Sequence, residues 1–450
     1  MFKRMLVANR GEIAVRIIRA AHELGLEAVA VHSEADKDSL AVQMADVVVP
    51  IGPAQAAKSY LNQAVIIKAA LDSGAQAIHP GYGFLSENAE FAEAVERNGL
   101  VFVGPTPAAI RTMGNKSLAR ETAARAGVPS VPGSAGVVAT AEAALAAADG
   151  IGYPVLIKAS AGGGGRGIRV AHHAEELSRQ IGVAQAEAQS AFGDSAVYLE
   201  RFIQRARHIE VQVLGDGRNA VHCFERECSL QRRRQKILEE APAPVLSQAA
   251  RERLCQSAVQ LARSVGYRGA GTLEYLYDED TDKFFFMEMN TRIQVEHPVT
   301  EMITGIDLVR EMIRVAQGEA LRFKQGDITM TGAAIECRIN AEDPEHGFRP
   351  GPGRVSNVVL PGGPGVRMDT MLYPGYTVPP YYDSLVGKLI VHAEDRAAAI
   401  ARMRRALKEL RIDGIATTRA LHLKLMDEPR FLAARFDTNF LEGWLAASPS

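Results

Sequence analysis

One stretch of sequence decides the fold of the central region: Gly271-Thr272-Leu273-Glu274-Tyr275-Leu276-Tyr277-Asp278-Glu279-Asp280-Thr281-Asp282-Lys283-Phe284-Phe285-Phe286-Met287-Glu288-Met289-Asn290. Two apolar, aromatic-rich runs around a polar turn predict a β-hairpin. Because side chains two residues apart share a strand face, Glu288 and Asn290 point the same way, and Glu274 joins them from the partner strand. Carboxylates beside aromatic side chains are costly unless a cation neutralises them. The hairpin therefore predicts a magnesium site shared with substrate phosphates; an exposed carboxylate pair on a solvated strand face is the alternative.

The residues that follow the hairpin are Thr291-Arg292-Ile293-Gln294-Val295-Glu296-His297-Pro298. An extended backbone here would place the side chains of Arg292, Gln294 and Glu296 on one face beside the metal site. Arg292 is then a candidate clamp for a small oxyanion, and Glu296 is a candidate general base. A purely structural salt bridge between Arg292 and Glu296 is the alternative.

A glycine-rich loop, Ser160-Ala161-Gly162-Gly163-Gly164-Gly165-Arg166-Gly167, lies between two strand-like runs at 155–158 and 168–170. Consecutive glycines leave their backbone N–H groups unscreened and permit the backbone angles that a polyphosphate site needs. The loop predicts phosphate binding, although it lacks the GxxxxGK[ST] pattern. A flexible linker is the alternative.

Three further residues are ambiguous from their local sequence. The run Arg232-Arg233-Arg234-Gln235-Lys236 is typical of a solvated face, unless it lines a cleft, where Lys236 would hold an anion. His208 is typical, when taken alone, of a packed or surface histidine. Arg338 is an isolated arginine in a predicted strand, and its local sequence does not connect it with the site.

The first hundred residues alternate short apolar runs with helical patterns, which predicts a doubly wound parallel sheet. The turn Gly81-Tyr82-Gly83 follows the fourth strand, where such sheets place ligands, although a structural turn is the commoner use. The pattern changes near residues 113 and 331. We therefore expect a mixed α/β and α+β chain with a Rossmann-like domain at 1–113, a central domain at 114–330 and a C-terminal mixed α/β domain at 331–447.

Composition limits the function classes. Lys plus Arg, 51, nearly balances Asp plus Glu, 53, so no whole-chain field favours a nucleic-acid or membrane surface. No apolar run approaches the roughly 18 to 20 residues of a membrane-spanning helix. The four cysteines form no CxxC pair, which argues against a disulfide framework and a thiolate zinc site. We expect a cytoplasmic protein that binds neither nucleic acid nor membrane.

Four strings together resemble the biotin carboxylase family of the ATP-grasp superfamily. They are Ala8-Asn9-Arg10-Gly11-Glu12-Ile13-Ala14, His79-Pro80-Gly81-Tyr82-Gly83-Phe84-Leu85-Ser86-Glu87-Asn88, the glycine-rich loop, and Glu288-Met289-Asn290 continuing to Pro298. The resemblance extends from Phe2 to about Gly443. It implies that the central domain is an ATP-grasp domain with a mobile lid at about 132–203.

The resemblance also implies roles for individual residues. The ATP contacts of the family correspond to Lys116, Lys158, Gly164, Gly165, Glu200, Arg201, Phe202, Ile203 and His208, together with the metal ligands Glu274 and Glu288. The metal ligands correspond to Glu274, Glu288 and Asn290, which would hold two Mg²⁺ or Mn²⁺ ions. The bicarbonate pocket corresponds to Lys236, Arg292, Gln294 and the backbone N–H of Val295. Glu296 matches the base, and Arg338 matches the residue that faces the biotin ureido oxygen.

The sequence departs from the family pattern at two positions. Arg234 stands where members commonly have histidine, so a nucleotide contact falls to an arginine, which can still hydrogen-bond a ribose or a phosphate. The glycine-rich loop begins with Ala161 where five glycines are common, which stiffens one end of the loop slightly. Neither departure removes a metal ligand or the base.

The implied activity is MgATP-dependent carboxylation of biotin by bicarbonate through carboxyphosphate. The chain ends at Ser450 without an Ala-Met-Lys-Met attachment string, so we expect a separate biotin carboxyl carrier protein and carboxyltransferase subunits. A homodimer and a place in acetyl-CoA carboxylase, hence fatty acid synthesis, are further expectations. Two rivals are an ATP-grasp ligase that joins an acyl phosphate to an amine and a non-catalytic ATP-binding subunit.

Overall fold

The computed structural model describes residues 1–159, 168–192 and 194–447. The predicted glycine-rich loop, with Gly164 and Gly165, lies outside the described residues. The chain forms two compact units: residues 1–128, 207–275 and 288 onward make unit 1, and residues 129–206 and 276–287 make unit 2. The predicted division into domains at 1–113, 114–330 and 331–447 cuts the chain differently and stays a prediction.

The N-terminal part of unit 1 is a parallel sheet with helices, as predicted. Its strand order is β3-β2-β1-β4-β5. The strands are β1 Arg4–Val7, β2 Glu27–Ser33, β3 Val47–Gly52, β4 Ala77–His79 and β5 Val101–Phe102; the helices are α1 Gly11–Glu23, α2 Leu40–Met44, α3 Gln63–Asp72, α4 Ala89–Arg97, α5 Pro107–Gly114 and α6 Lys116–Arg125. Asn62, Asn88, Thr106 and Asn115 begin α3 to α6 by accepting a backbone N–H of the first turn.

The strand order reverses direction between β1 and β4, where doubly wound sheets open a crevice. Here the turn after β4 fills that position. The Asn9 side chain donates to the carbonyls of Pro80 and Tyr82, both at 2.7 Å. Gly81 has a φ of +64°, and a Cβ there would lie 3.0 Å from the Asn9 amide nitrogen. The turn therefore has the structural use that the sequence left open.

Unit 2 contains a small antiparallel sheet in the order β7-β6-β8. Its elements are α7 Ala141–Ile151, β6 Val155–Ala159, β7 Ile168–Ala171, α8 Ala174–Phe192 and β8 Val197–Arg201. Val155, Ile157 and Leu199 alternate inward and pack against Leu177 and Ile181 of α8. The strand predicted before the glycine-rich loop is thus confirmed.

A large sheet follows in the order β13-β12-β9-β10-β11-β14-β21-β19. Its strands are β9 Ala206–Asp216, β10 Ala220–Arg232, β11 Gln235–Ala241, β12 Arg268–Asp278, β13 Lys283–Asn290, β14 Ala333–Asn340, β19 Val366–Thr370 and β21 Leu385–Ala393. The predicted hairpin is β12 and β13. Short strands are β15 Glu342–Asp343, β16 Arg349–Pro350, β17 Gly353–Arg354, β18 Asn357–Val359, β20 Thr377–Val378 and β22 Arg411–Asp413.

Helices cover this sheet and complete the core. They are α9 Gln248–Ser264, α10 His297–Thr304, α11 Leu308–Ala316, α12 Arg396–Glu409, α13 Arg419–Leu425, α14 Pro429–Leu432 and α15 Phe440–Ala447. In the C-terminal part, Met403 and Leu407 of α12 are buried with Ile335 of β14 and Leu389 of β21. Within the described residues no helix is both long and apolar enough to cross a membrane.

Candidate active site

Five strands of the large sheet carry six of the predicted site residues. The assignments are His208 on β9, Lys236 on β11, Glu274 on β12, Glu288 and Asn290 on β13, and Arg338 on β14. Strand β12 lies beside β9, and β11 lies beside β14. The sheet therefore gathers side chains that are far apart in the sequence.

The Lys236 ammonium group is the centre of this cluster. Its Nζ donates to Glu210 at 2.6 Å, to Glu296 at 2.7 Å and to Glu274 at 2.9 Å. Burial alone would lower the pKa of Lys236, but the three carboxylates raise it well above its usual value. The lysine stays charged, and three carboxylates around one ammonium leave negative charge that suits a divalent cation.

Glu274 lies among nitrogen donors from several elements. Its Oε1 accepts from Asn290 at 2.9 Å and from Gln294 at 2.8 Å. Its Oε2 lies 3.1 Å from Nε2 of His208. Burial would raise the pKa of Glu274, but Lys236 and His208 hold it well below the usual range. Glu274 is thus ionised, as a metal ligand must be.

Glu288 is half-buried and faces the same region. Burial, followed by the neighbouring Glu274 carboxylate, raises the pKa of Glu288, while Lys116 opposes this shift. Such repulsion between two carboxylates is what a cation between them would remove. The donor set of Glu274, Glu288 and the Asn290 amide oxygen therefore fits Mg²⁺ or Mn²⁺. The ligand atoms of His208, Glu210 and Glu274 also lie within 4.8 Å of one another.

Glu296 connects Lys236 to Arg338. Its Oε2 accepts from Nη2 of Arg338 at 3.0 Å, and Nε of Arg338 donates to Glu239 at 2.6 Å. Burial would raise the pKa of Glu296, but Lys236, Arg338 and Arg226 lower it strongly. Glu296 is therefore ionised and able to accept a proton from an acid bound beside it.

The segment that carries Arg292, Gln294 and Glu296 does not form an extended strand, so the condition under which these side chains would share one strand face is not met. After β13 the chain turns, and Glu296 is the N-cap residue of α10. Its φ of −80° and ψ of 7° are not those of an extended strand. The reason is that Pro298 near the start of α10 favours a helix start, which competes with extension of β13. The three side chains nevertheless converge. Gln294 bonds to Glu274 and Glu296 bonds to Lys236. Arg292 bonds to Asn290, which itself bonds to Glu274.

Arg292 does not pair with Glu296, the structural alternative that the sequence left open. Its Nε donates to Glu87 at 2.9 Å, and its Nη2 donates to the Asn290 side-chain oxygen at 3.0 Å. Glu87 also accepts from the Thr291 backbone N–H at 3.0 Å. Glu87 stands in the string 79–88, so the motif was seen but its contact with Arg292 was not predicted.

Among the described residues, the candidate nucleotide residues of unit 2 lie on β6 and at the end of β8 or just beyond it. The Lys158 ammonium donates to the Glu200 carboxylate. Beyond it the backbone N–H groups of Arg201 and Phe202 donate to Pro132 at 2.8 Å and to Pro154 at 2.9 Å. Ile203 is buried in a cluster with Phe285. The run 200–203 is therefore held by backbone bonds inside this unit.

Lys116 and Arg234 are exposed residues of unit 1. Lys116 is the first residue of α6, whose N-cap is Asn115. Arg234 and its neighbour Arg233 form the two-residue turn between β10 and β11, with φ values of +66° and +48°. Such turns favour glycine or asparagine, so two arginines keep this geometry at the cost of backbone strain. Strain of this kind is consistent with a ligand contact for Arg234.

Comparison with known proteins agrees with this geometry. Three family models cover most of the chain: "Biotin carboxylase, N-terminal domain" at 1–110, "Carbamoyl-phosphate synthase L chain, ATP binding domain" at 115–324 and "Biotin carboxylase C-terminal domain" at 336–443. The biotin carboxylase of Nostoc sp. is 56% identical over 442 residues, which are 98% of this chain and 99% of the relative. The chain belongs to the biotin carboxylase family.

Solved structures of biotin carboxylases have the same fold. A biotin carboxylase–beta-gamma-ATP complex from Campylobacter jejuni is 50% identical, with a TM-score of 0.90 over 98% of this chain and 99% of that one. The biotin carboxylase domain dimer of Hydrogenobacter thermophilus 2-oxoglutarate carboxylase, in complex with MgADP, ADP and bicarbonate, is 48% identical, with a TM-score of 0.89 over all of both chains. The predicted family, fold class and enzyme class are confirmed.

In this member of the biotin carboxylase family, sequence reasoning missed two buried residues. Glu210 has no exposed surface and bonds to both Lys236 and Arg226. Arg226 is equally buried and contributes to the lowered pKa of Glu296. One signal was available for Glu210, because it lies two residues after His208 on a strand and so shares its face. Arg226 had no such local signal.

Proposed function

We propose that this chain carboxylates biotin on a separate biotin carboxyl carrier protein, using MgATP and bicarbonate and passing through carboxyphosphate. The observation that carries the proposal is the Lys236 cluster, in which one ammonium bonds Glu210, Glu274 and Glu296. It combines a carboxylate set for a cation with an ionised base beside an anion-binding lysine. An ATP-grasp enzyme for another carboxylate would not need Glu296 and Arg338 paired at 3.0 Å.

Nucleotide and metal binding follow from the carboxylates and the basic residues. Glu274, Glu288 and Asn290 are the proposed ligands of two Mg²⁺ or Mn²⁺ ions, which offset the phosphate charge of ATP when bound. The proposed nucleotide contacts are Lys116, Lys158, Gly164, Gly165, Glu200, Arg201, Phe202, Ile203, His208 and Arg234. Lys158 is already oriented by Glu200, which supports its use as a phosphate contact.

Bicarbonate would bind among Lys236, Arg292, Gln294 and the backbone N–H of Val295. Lys236 and Arg292 supply positive charge, and the Gln294 amide is held against Glu274 at 2.8 Å. Glu296 takes the bicarbonate proton, and the resulting oxyanion attacks the γ-phosphoryl group of ATP, releasing ADP. An anion bound at Lys236 offsets part of the positive charge that lowers the pKa of Glu296. During binding this pKa therefore rises toward that of a useful base.

Biotin would then be carboxylated beside Arg338. Carboxyphosphate splits into CO₂ and phosphate, and the phosphate removes the N1′ proton of biotin. The Arg338 guanidinium stabilises negative charge on the ureido oxygen while N1′ bonds to CO₂. Arg338 suits this role because Glu239 at 2.6 Å and Glu296 at 3.0 Å fix its orientation.

The physiological setting is also part of the proposal. We place the chain in a cytoplasmic acetyl-CoA carboxylase of fatty acid synthesis, with a carrier protein and carboxyltransferase subunits. The four free cysteines are buried, which suits a reducing compartment. The related dimer from Hydrogenobacter thermophilus supports a homodimer. Since that relative belongs to a 2-oxoglutarate carboxylase, the acceptor must be identified from the co-purifying carboxyltransferase.

The test is ATP hydrolysis by the purified chain with bicarbonate and free biotin added in turn. We expect hydrolysis to require bicarbonate, to rise with biotin, and to yield carboxybiotin from ¹⁴C-bicarbonate. Glu288→Gln should abolish all three signals, whereas Glu279→Gln, in the exposed turn of the same hairpin, should not. Bicarbonate-independent hydrolysis would favour an ATP-grasp ligase, and the absence of ATP binding would contradict the proposal altogether.

A further inference from the structure

The two peptide groups around Val295 are each held by a buried side chain. The Gln294 carbonyl, in the first of these peptide groups, accepts a hydrogen bond from Nδ1 of His297 at 2.7 Å. The Val295 carbonyl, in the second, accepts one from Nζ of Lys388 at 2.8 Å. His297 and Lys388 both have no exposed surface. Neither can touch a ligand directly, so any effect on the reaction must pass through the backbone that they hold.

His297 determines where the Val295 N–H points, because its backbone N–H also donates to the Gln294 carbonyl, at 3.3 Å. In a trans peptide the C=O and N–H point in opposite directions, and the group is planar. Fixing the Gln294 carbonyl toward His297 therefore directs the Val295 N–H away from this histidine. Burial lowers the pKa of His297 well below its usual value, so the ring is neutral and its one N–H lies at Nδ1. Its Nε2 has no hydrogen-bond partner among the described residues.

Lys388 holds the next peptide group from the neighbouring strand. It lies on β21 directly opposite Arg338 of β14, so the two side chains share a face of the sheet. Arg338 bonds the Glu296 carboxylate, while Lys388 bonds the carbonyl of the preceding residue. Strands β14 and β21 thus hold two consecutive residues, Val295 and Glu296, which do not themselves belong to a β-strand.

Glu12 completes the support for Lys388. Its Oε1 lies 3.2 Å from the lysine Nζ and also accepts a hydrogen bond from the Tyr82 hydroxyl. Glu12 is 3% exposed, and burial raises its pKa although Lys388 opposes this shift, so its charge depends on the lysine. Lys388 is held by this ion pair while it donates to the Val295 carbonyl. It therefore fixes that carbonyl more firmly than a solvated lysine could.

We infer that Lys388 and His297 are positioning residues that aim the Val295 N–H and the Glu296 carboxylate at bicarbonate, with Glu12 holding Lys388 in place. The inference rests on the proposed function, because that function assigns a bicarbonate contact to the Val295 N–H. Loss of the Lys388 bond frees the Val295 carbonyl, and loss of the His297 side-chain bond leaves the Gln294 carbonyl with only the longer bond from the His297 backbone N–H, at 3.3 Å. Bicarbonate affinity then falls, whereas the nucleotide residues keep their own supports.

The test is the double variant Lys388→Met/Glu12→Gln, which removes the bond to Val295 without leaving either charge buried alone. Bicarbonate-dependent ATPase is measured with each substrate varied. We expect the KM for bicarbonate to rise about tenfold or more, as loss of a charge-assisted hydrogen bond predicts. The KM for ATP should stay within twofold. Arg396→Met removes another ion pair of the same unit, with Glu240 at 2.6 Å, and should leave the bicarbonate KM unchanged.

A second variant guards against a double variant that fails to fold. His297→Leu places an apolar side chain in the same buried space, where Nε2 has no hydrogen-bond partner among the described residues. It removes the side-chain bond to the Gln294 carbonyl and leaves the longer backbone bond at 3.3 Å. The same selective rise in bicarbonate KM is expected. An unchanged bicarbonate KM in either folded variant, or an equal rise in both KM values, would overturn the inference. Failure of the proposed function is separate, because the wild type would then show no bicarbonate-dependent hydrolysis.

Discussion

Glu296 illustrates how one side chain can be both paired and reactive. Lys236 and Arg338 each hold one of its carboxylate oxygens, so its charge is stabilised without being removed. Glu296→Gln keeps the shape and leaves Lys236 with two carboxylates and Arg338 with Glu239. We therefore expect the variant to fold normally and to lose about 10²- to 10⁴-fold in bicarbonate-dependent turnover, the usual contribution of a general base. Steady-state hydrolysis and a thermal melt check this; turnover within twofold of the wild type would contradict it.

Arg338 allows nucleotide binding to be separated from carboxyl transfer to biotin at a single residue. It contacts Glu296 and Glu239 but none of the proposed metal ligands. Arg338→Ala should spare ATP binding and reduce transfer to biotin by at least 10²-fold, because the ureido oxygen loses its charged donor. Nucleotide titration and ¹⁴C-carboxybiotin formation measure the two effects. Arg233→Ala, in the exposed turn after β10, is the matched control, and undiminished transfer in Arg338→Ala would remove this residue from the mechanism.

The strands that carry the site could be predicted from the sequence only where a pattern of neighbouring residues marks them. Period two along β13 was enough to place Glu288 and Asn290 on one face, and the polar turn was enough to pair β13 with β12. No local pattern shows that β9 lies beside β12 or that β11 lies beside β14. For that reason Glu210 and Arg226 were missed, and Lys236 and Arg338 were ambiguous without the family resemblance. The start of α10 also competes with an extended backbone through Glu296.

Arg226 is the side chain that ties these strands to α10. Its donors reach Glu210 at 2.6 Å on β9, Thr272 at 3.1 Å on β12, and Thr300 at 2.9 Å on α10. Arg226→Met should lower the free energy of unfolding by about 3 to 5 kcal/mol, because it breaks a buried ion pair and leaves its polar partners unpaired. Urea denaturation measures the loss.

Glu210, the ion-pair partner of Arg226, allows a sharper test of how the two residues hold these strands together. Adding Glu210→Met to Arg226→Met removes the carboxylate that would otherwise be left with too little positive charge. The double variant should recover a large part of the lost stability, since replacing a whole buried ion pair by apolar groups is often neutral. Arg218→Met, in the exposed turn between β9 and β10, should change stability by less than about 0.5 kcal/mol. Strictly additive losses in the double variant would show that the pair does not act as a unit.

At the scale of the whole molecule, proton uptake by buried carboxyl groups links folding to pH. Glu227 on β10 is the simplest case, because it lies outside the proposed metal and bicarbonate groups. It is 2% exposed, and its Oε2 has no hydrogen-bond partner among the described residues. Burial, only partly offset by Arg207, raises the pKa of Glu227 from 4.5 to about 7.

The direction of the pH effect follows from that raised pKa. The folded chain keeps the Glu227 proton up to about pH 7, whereas the unfolded chain loses it near its ordinary value of 4.5. The stabilising effect of this proton is therefore complete below about pH 4.5 and is lost as pH rises toward 7, a change of about 3 kcal/mol. Glu227→Gln cannot lose a proton, so its stability relative to the wild type should grow by most of that amount between pH 5 and pH 8. Urea denaturation at both values measures it; Glu409→Gln, exposed on α12, should follow the wild type, and a constant offset for Glu227→Gln would mean that this buried carboxyl does not titrate with folding.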